Sequence, residues 1–217
     1  MDDIFRTSQQ NLNSLFMRSL DKLPFDFYDR KVINVAKSLL GKIFIRKIDG
    51  RILCGKIVEV EAYDGKNDEA SHSFNGMTKR NNVMFGKAGH LYVYFTYGMH
   101  YCANVVTGKE NYGAAVLIRA IEPIEGIHIL SENRFGKRII SEKEQLNLCS
   151  GPARTCQAFQ ITHQNNGTNL CGDDIFILDS PEISSSKIIS TTRIGIKKSI
   201  DLQWRYYIKN NPYVSKI

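Results

Sequence analysis

No two of the five cysteines (Cys54, Cys102, Cys149, Cys156, Cys171) stand at C-x-x-C spacing, and their odd number leaves no complete pairing. This argues against both a disulfide framework and a structural zinc site, and a reducing compartment is the simplest inference. The five histidines (His72, His90, His100, His128, His163) form no H-E-x-x-H or similar pair, so neither a metal nor another cofactor is expected. No window approaches the apolar run of a membrane span. The opening MDDIFRTSQQ is acidic and lacks the apolar region of a secretory signal. Internal repeats, interdomain linkers and low-complexity tracts are also missing. Residues 1–217 therefore read as one domain, with 1–22 as a peripheral or partly mobile segment.

The most informative absence is local. Met77–Lys109, MTKRNNVMFGKAGHLYVYFTYGMHYCANVVTGK, has no Asp or Glu. It has Lys79, Arg80, Lys87 and Lys109, interleaved with Phe85, Tyr92, Tyr94, Phe95, Tyr97 and Tyr101. Positive charge among aromatic rings suits a surface that holds phosphates and stacks on bases. Aromatic strands more often simply pack in a core, and composition alone favours that reading.

What is present tilts the balance. The net charge of +7 favours an anionic partner: nucleic acid, acidic lipid or a phosphorylated ligand. From Pro181 to Ile217 seven basic residues face only Glu182 and Asp201, a net of +5. Lys56–His72 is the reverse. Glu59, Glu61, Asp64, Asp68 and Glu69 outweigh Lys56 and Lys66 for a net of −3. An acidic island in a basic protein hints at carboxylates kept for chemistry.

Apolar spacing predicts a helix over Ser8–Leu20 and another over Val32–Leu40, with Asp29 as N-cap and Gly41 just past its end. Lys42–Lys47 and Ile52–Ala62 read as strands joined by an Asp49-Gly50 hairpin turn. Along the second strand, alternation puts Val58 and Val60 on one face and Glu59 and Glu61 on the other. A long loop, Asp64–Gly89, follows, and such loops are more often functional than inert. Leu91–Tyr97 and Tyr101–Thr107 form a second hairpin. Ala114–Ala120 is an apolar strand interrupted by Arg119, a charge that demands a partner if buried. Helices are expected over Ile124–Arg134 and from Gly151-Pro152 to about Ile161, separated by a polar connection. Ile175–Leu178 and Lys187–Ile196 complete the strands. The fold class is α+β.

A Glu and an Arg isolated in apolar strands most often form a structural ion pair. The surrounding stretches point further. EAYDGKNDEASHS, TKRNNVMFGKAGHLYVYFTYGMHYCANVV, AVLIRAIEPIEG and GPARTCQAF resemble the 3-methyladenine (alkyladenine) DNA glycosylases, from about Ala36 to Val214. The resemblance implies a single domain with a curved antiparallel sheet, flanking helices and a protruding β-hairpin that inserts into DNA. It implies a monofunctional base-excision repair enzyme without lyase activity. Such an enzyme flips alkylated or deaminated purines, 3-methyladenine and hypoxanthine among them, out of double-stranded DNA. It then hydrolyses the N-glycosidic bond and leaves an abasic site. It also implies a monomer that needs no cofactor. The expected location is the cytoplasm, with the nucleoid, in a bacterium, or the nucleus in a eukaryote.

By the same resemblance Glu61 is the general base, Arg119 helps hold the attacking water, and Ile194 touches that water through its carbonyl. Tyr63, His72 and Tyr94 sandwich the extruded base, and Asn104 at the pocket floor disfavours the exocyclic amine of guanine. Tyr97 and its neighbour Met99 fill the gap left in the duplex. Lys79, Arg80, Arg193 and Lys197 are assigned to the DNA backbone. Glu59 is the best second carboxylate, while Tyr92 and Tyr101 are expected to pack. The residue types suit the chemistry. A base must leave the stack to expose its glycosidic carbon, an aromatic plug offsets part of that cost, and a cationic alkylpurine is attracted to tyrosine faces. Such a base leaves readily, so one carboxylate can suffice where glycoside hydrolases commonly use two. Lys79 departs from the family's usual proline there, which bears on loop geometry and substrate preference. Two rival readings are a non-catalytic nucleic-acid-binding module and a small-nucleoside hydrolase. The first gives no reason for Glu61 beside a DNA-facing aromatic, and the second none for the basic tail.

Overall fold

The computed structural model describes residues 20–215; the helix expected over Ser8–Leu20 lies, but for Leu20, outside the described residues. The longest strand organises the rest. β1 (Ile43–Ile48) and β2 (Arg51–Tyr63) are joined by Asp49 and Gly50 at φ 49° and 71°, the left-handed pair that a type I′ turn requires. One edge of β2, from Cys54 to Tyr63, is bonded antiparallel to β5 (Ala114–Glu125). The opposite edge is divided. Arg51–Lys56 pairs with β1, and Glu59–Glu61 pairs with β8 (Arg205–Ile208). The β2–β5 register slips on both sides of Glu59, and bulges of this kind sharpen a sheet's twist. They fall where β1 gives way to β8, and the sheet curls into a half-barrel. β3 (Leu91–Thr96) and β4 (His100–Thr107) form a hairpin beside β5. β6 (Ile175–Leu178) lies beyond β1, and β7 (Ile188–Thr191) flanks β8.

Alternation then sorts the side chains. Val60, Ala62, Leu91, Val93, Val105, Val116 and Ile118 enter the main core. Five helices are described: α1 (Phe25–Tyr28), α2 (Val32–Leu39), α3 (Ile127–Phe135), α4 (Glu142–Asn147) and α5 (Pro152–Ala158). α2 fills its share of the core with Val32, Val35, Ala36 and Leu39, one stripe at helical spacing. The intervening residues Tyr92, Val106 and Ala115 form a separate cluster with Met84 and Phe85 of the long loop. The sheet therefore packs helices on one face and carries that loop on the other. The bulge breaks the simple alternation in β2, so that Ile57 rather than Val58 joins Val60 in the core.

The α+β class is as expected, and Gly41, at φ 88°, follows α2 as predicted. Several boundaries differ. Lys31, not Asp29, is the N-cap of α2; Asp29 instead closes α1, and its carboxylate meets Lys109. The helix expected from Ile124 begins at Ile127, because β5 runs on to Glu125. Pro123 sits beside a register slip there, one of the few sheet positions where a missing N–H is tolerated. The polar connection holds α4, whose Ser141 and Glu144 form a capping box. Only Ile188–Thr191 of the strand expected over Lys187–Ile196 is paired, and β8 was not anticipated.

Candidate active site

The sheet face that carries the long loop holds a cavity of about 560 Å³, bordered also by Pro152 at the start of α5 and within the usual range for ligand sites. β2 contributes Glu61 and Tyr63, β3 Tyr92 and Tyr94, β4 Cys102 and Asn104, and β5 Arg119. The long loop adds His72, the hairpin tip adds Tyr97, and the segment after β7 adds Ile194 and Lys197. Residues scattered over most of the chain thus meet because β2, β3, β4 and β5 are neighbours in one curled sheet.

Glu61 is wholly buried and well supplied with donors. Its Oε1 accepts the Ile194 amide N–H at 2.7 Å and lies 3.2 Å from Arg119 Nη1. Its Oε2 accepts the Tyr63 hydroxyl at 2.8 Å. A carboxylate offers about four acceptor positions, so the fourth remains for a donor in the cavity. Burial, then the Glu61 charge, pushes the Tyr63 hydroxyl far above the ordinary tyrosine range, and it stays a donor. Burial lowers the tendency of Arg119 to hold its proton, but Glu61 and then Glu59 outweigh it, and its pKa is raised.

Glu59, the suggested second carboxylate, is committed elsewhere. It accepts Arg119 Nε at 3.0 Å, Arg205 Nε at 2.7 Å, and both the amide and hydroxyl of Ser215 at 2.6 and 2.9 Å. Four donors fill it, and it does not line the cavity. Its work is to hold Arg119 and to tie β2, β5, β8 and the chain's end together.

The aromatic wall is built around His72. Its ring meets that of Tyr94 edge-on at 4.5 Å, and its Nδ1 is 3.1 Å from the Tyr92 hydroxyl. Desolvation, then the nearby Arg80 charge, lowers the His72 pKa. Burial raises the Tyr92 hydroxyl to about 12. The loop that carries His72 is pinned by Asn81, which is buried and donates to the carbonyls of His72 and Gly76 at 2.7 and 3.0 Å. Its Oδ1 accepts the Thr78 amide at 2.6 Å. Asn104 is also buried and donates to the Tyr92 carbonyl at 3.1 Å.

The tip of the β3–β4 hairpin projects two large side chains into solvent, and Phe95 of β3 is exposed beside them. Tyr97 is 81% exposed and Met99 68%. Tyr97 has φ 51° and Gly98 φ 68°. The left-handed region costs a non-glycine residue roughly 1–2 kcal/mol, and for a bulky side chain it is an outlier that points to a role.

The matched family model, described as methylpurine-DNA glycosylase, spans residues 26–212. The chain belongs to the methylpurine-DNA glycosylase family. It is 52% identical over 195 residues to a Carboxydothermus hydrogenoformans protein provisionally named a 3-methyladenine DNA glycosylase, covering 89% of this chain and 98% of that one. Proteins bearing the same provisional name in Alkaliphilus oremlandii and Chlorobaculum tepidum are each 44% identical. Those matches cover 90% and 91% of this chain, and 99% and 92% of the relatives.

In this family member Glu61, Tyr63, His72, Tyr94, Tyr97, Asn104, Arg119, Ile194 and Lys197 all border one cavity. Met99 stands outside it at the hairpin tip, and Lys79 and Arg80 are exposed on the adjoining loop. Arg80 also leans over the Tyr94 ring at 5.7 Å and donates to the Phe95 carbonyl at 3.3 Å. One expectation needs correction. Arg193 is not available to the DNA backbone, since its side chain is fully buried against Asp68. Tyr92 packs, as expected, but also lines the cavity. Asn81 and Asp68 were missed. The only local sign of Asn81 was the Thr78-Lys79-Arg80-Asn81 turn, and Asp68 was lost among its acidic neighbours. Among the described residues, no group of three His, Cys, Asp or Glu is arranged to hold a metal.

Proposed function

We propose that this methylpurine-DNA glycosylase family member flips damaged purine nucleotides out of double-stranded DNA and hydrolyses their N-glycosidic bond, acting as a monomer. Family membership carries the DNA glycosylase part of this reading and an alkylated-base substrate. The finer mechanism rests on one observation: a buried carboxylate, Glu61, with three donors and one open acceptor position on the wall of an aromatic cavity.

In that mechanism a water donates a hydrogen bond to Glu61 Oε2. As its oxygen attacks the sugar C1′, its proton passes to Glu61. The C1′–N bond breaks, and its electron pair leaves with the base, neutralising an alkylpurine cation. Arg119 and the Ile194 N–H keep the carboxylate aimed. Tyr63, His72 and Tyr94 flank the extruded base, and each favourable tyrosine face attracts a cationic purine by about 0.5–2 kcal/mol. Alkylated purines are the favoured substrates. Hypoxanthine, which leaves as a neutral base, additionally needs a proton.

Tyr97 fits the gap left in the duplex. Tyr97→Ser is expected to weaken binding and excision of well-paired lesions more than of mispaired ones, measured on matched duplex sets. Equal losses on both would argue against a plug. Exposed Lys79, Arg80, Lys197 and Lys198 fit phosphate contacts. Affinity for lesion duplex should therefore fall steeply with salt, and Lys197→Ala should flatten the log–log slope by about 0.9 if it meets one phosphate. An unchanged slope would remove Lys197 from the DNA-facing surface. The direct test of the reaction is base release from a panel of 3-methyladenine, 7-methylguanine, hypoxanthine and etheno-adenine duplexes.

A further inference from the structure

A salt bridge with both partners fully buried lies directly behind the cavity wall. Arg193 Nη1 and Nη2 donate to Asp68 Oδ2 and Oδ1 at 2.5 and 2.6 Å, a bidentate fork, and both side chains are 0% exposed. Nη1 also donates to the Ala62 carbonyl at 2.8 Å. The guanidinium lies over the Tyr63 ring at 4.6 Å and the Trp204 ring at 5.5 Å. Asp68 Oδ1 in turn accepts the Ala70 amide at 3.1 Å, shaping the turn that leads to His72. The next residue after Arg193 is Ile194, whose N–H reaches Glu61.

We propose that the Arg193–Asp68 pair is a positioning clamp for the hydrolytic centre, a role that rests on the function proposed above. Through one guanidinium it joins the end of β2, the loop leading to His72 and the segment that delivers the Ile194 amide. Each of these carries a group that touches Glu61 or the base cavity, and the latter two segments otherwise meet through exposed contacts, the Lys198–Glu69 ion pair and the Glu69 N–H to Ser199 Oγ. A buried ion pair is a poor device for stability alone, since apolar residues of similar volume often serve as well. Its distinctive contribution is direction: the Nη1 and Nη2 groups of one planar fork fix three acceptors at once. Lysine supplies the charge without the fork.

The test separates placement from affinity. Single-turnover excision at saturating enzyme and the Kd for an alkylpurine duplex are measured for wild type, Arg193→Lys and Asp68→Asn, with near-UV circular dichroism at the assay temperature. Displacing a reacting group by about 1 Å costs on the order of 100-fold. The clamp therefore predicts excision slowed about 10–100-fold in both variants, with Kd and its salt slope close to wild type. A weaker Kd with a shallower salt slope would overturn it in favour of a phosphate contact. Wild-type excision by folded variants, or failure of both to fold, would reduce the pair to a stabilising one. A wild-type protein that releases no base from any lesion would instead fell the functional reading, and the clamp with it.

Discussion

Glu61→Gln is expected to abolish base release from an alkylpurine duplex while leaving lesion binding in place. The substitution preserves volume and one acceptor oxygen, so the Ile194 amide and Arg119 keep a partner. The amide nitrogen can donate to the Tyr63 hydroxyl, reversing the bond now made to Oε2. Arg119 retains Glu59, so no guanidinium is left uncompensated by the change. What disappears is the ability to take a proton from water. Removing a general base costs about 10²–10⁴-fold, measurable as single-turnover excision against an unchanged Kd. Excision at the wild-type rate would remove Glu61 from the mechanism.

Glu59→Gln should do the opposite: its first effect is on the fold. This carboxylate accepts from two guanidiniums and twice from Ser215, with no exposure to solvent. Gln offers one oxygen and, in place of the other, an N–H₂ facing donors. Breaking a buried ion pair from one side costs about 3–5 kcal/mol. For a protein of this size the midpoint of thermal unfolding should fall by roughly 10 °C. Arg119 loses its second anchor, so excision should fall as well. A variant that melts with the wild type would show that the charge of Glu59 is dispensable to the network.

The contrast between these neighbours shows where sequence reasoning stops. Alternation along β2 places Glu59 and Glu61 on the same face, and nothing in the spacing separates them. Their fates diverge because Arg205 and Ser215 donate to the Glu59 carboxylate and not to that of Glu61, over a sequence separation of 146 and 156 residues. Arg193 fails to be read for the same reason. In the sequence it is one more charge in a basic tail, and its burial depends on Asp68, 125 residues away. Local chemistry was legible where a turn or an apolar stripe marks it. The Asp49-Gly50 turn, the stripe of α2, Gly41 and the β3–β4 hairpin all follow from a few adjacent residues. The Ser141 and Glu144 signature of α4 is equally local. It lies in a segment with no apolar stripe, so periodicity could not reveal it. β8 is four residues long and paired only by tertiary contact, which leaves no period to detect.

The left-handed backbone of Tyr97 has a consequence for how lesions would be found. Its conformational cost is met when the hairpin folds, with or without DNA, so none of it falls on a later binding step. On the proposed function, the duplex must then do the yielding. An intact, well-stacked pair resists, whereas a damaged one gives way at lower cost. Under that proposal, part of the discrimination belongs to the mechanical compliance of the DNA.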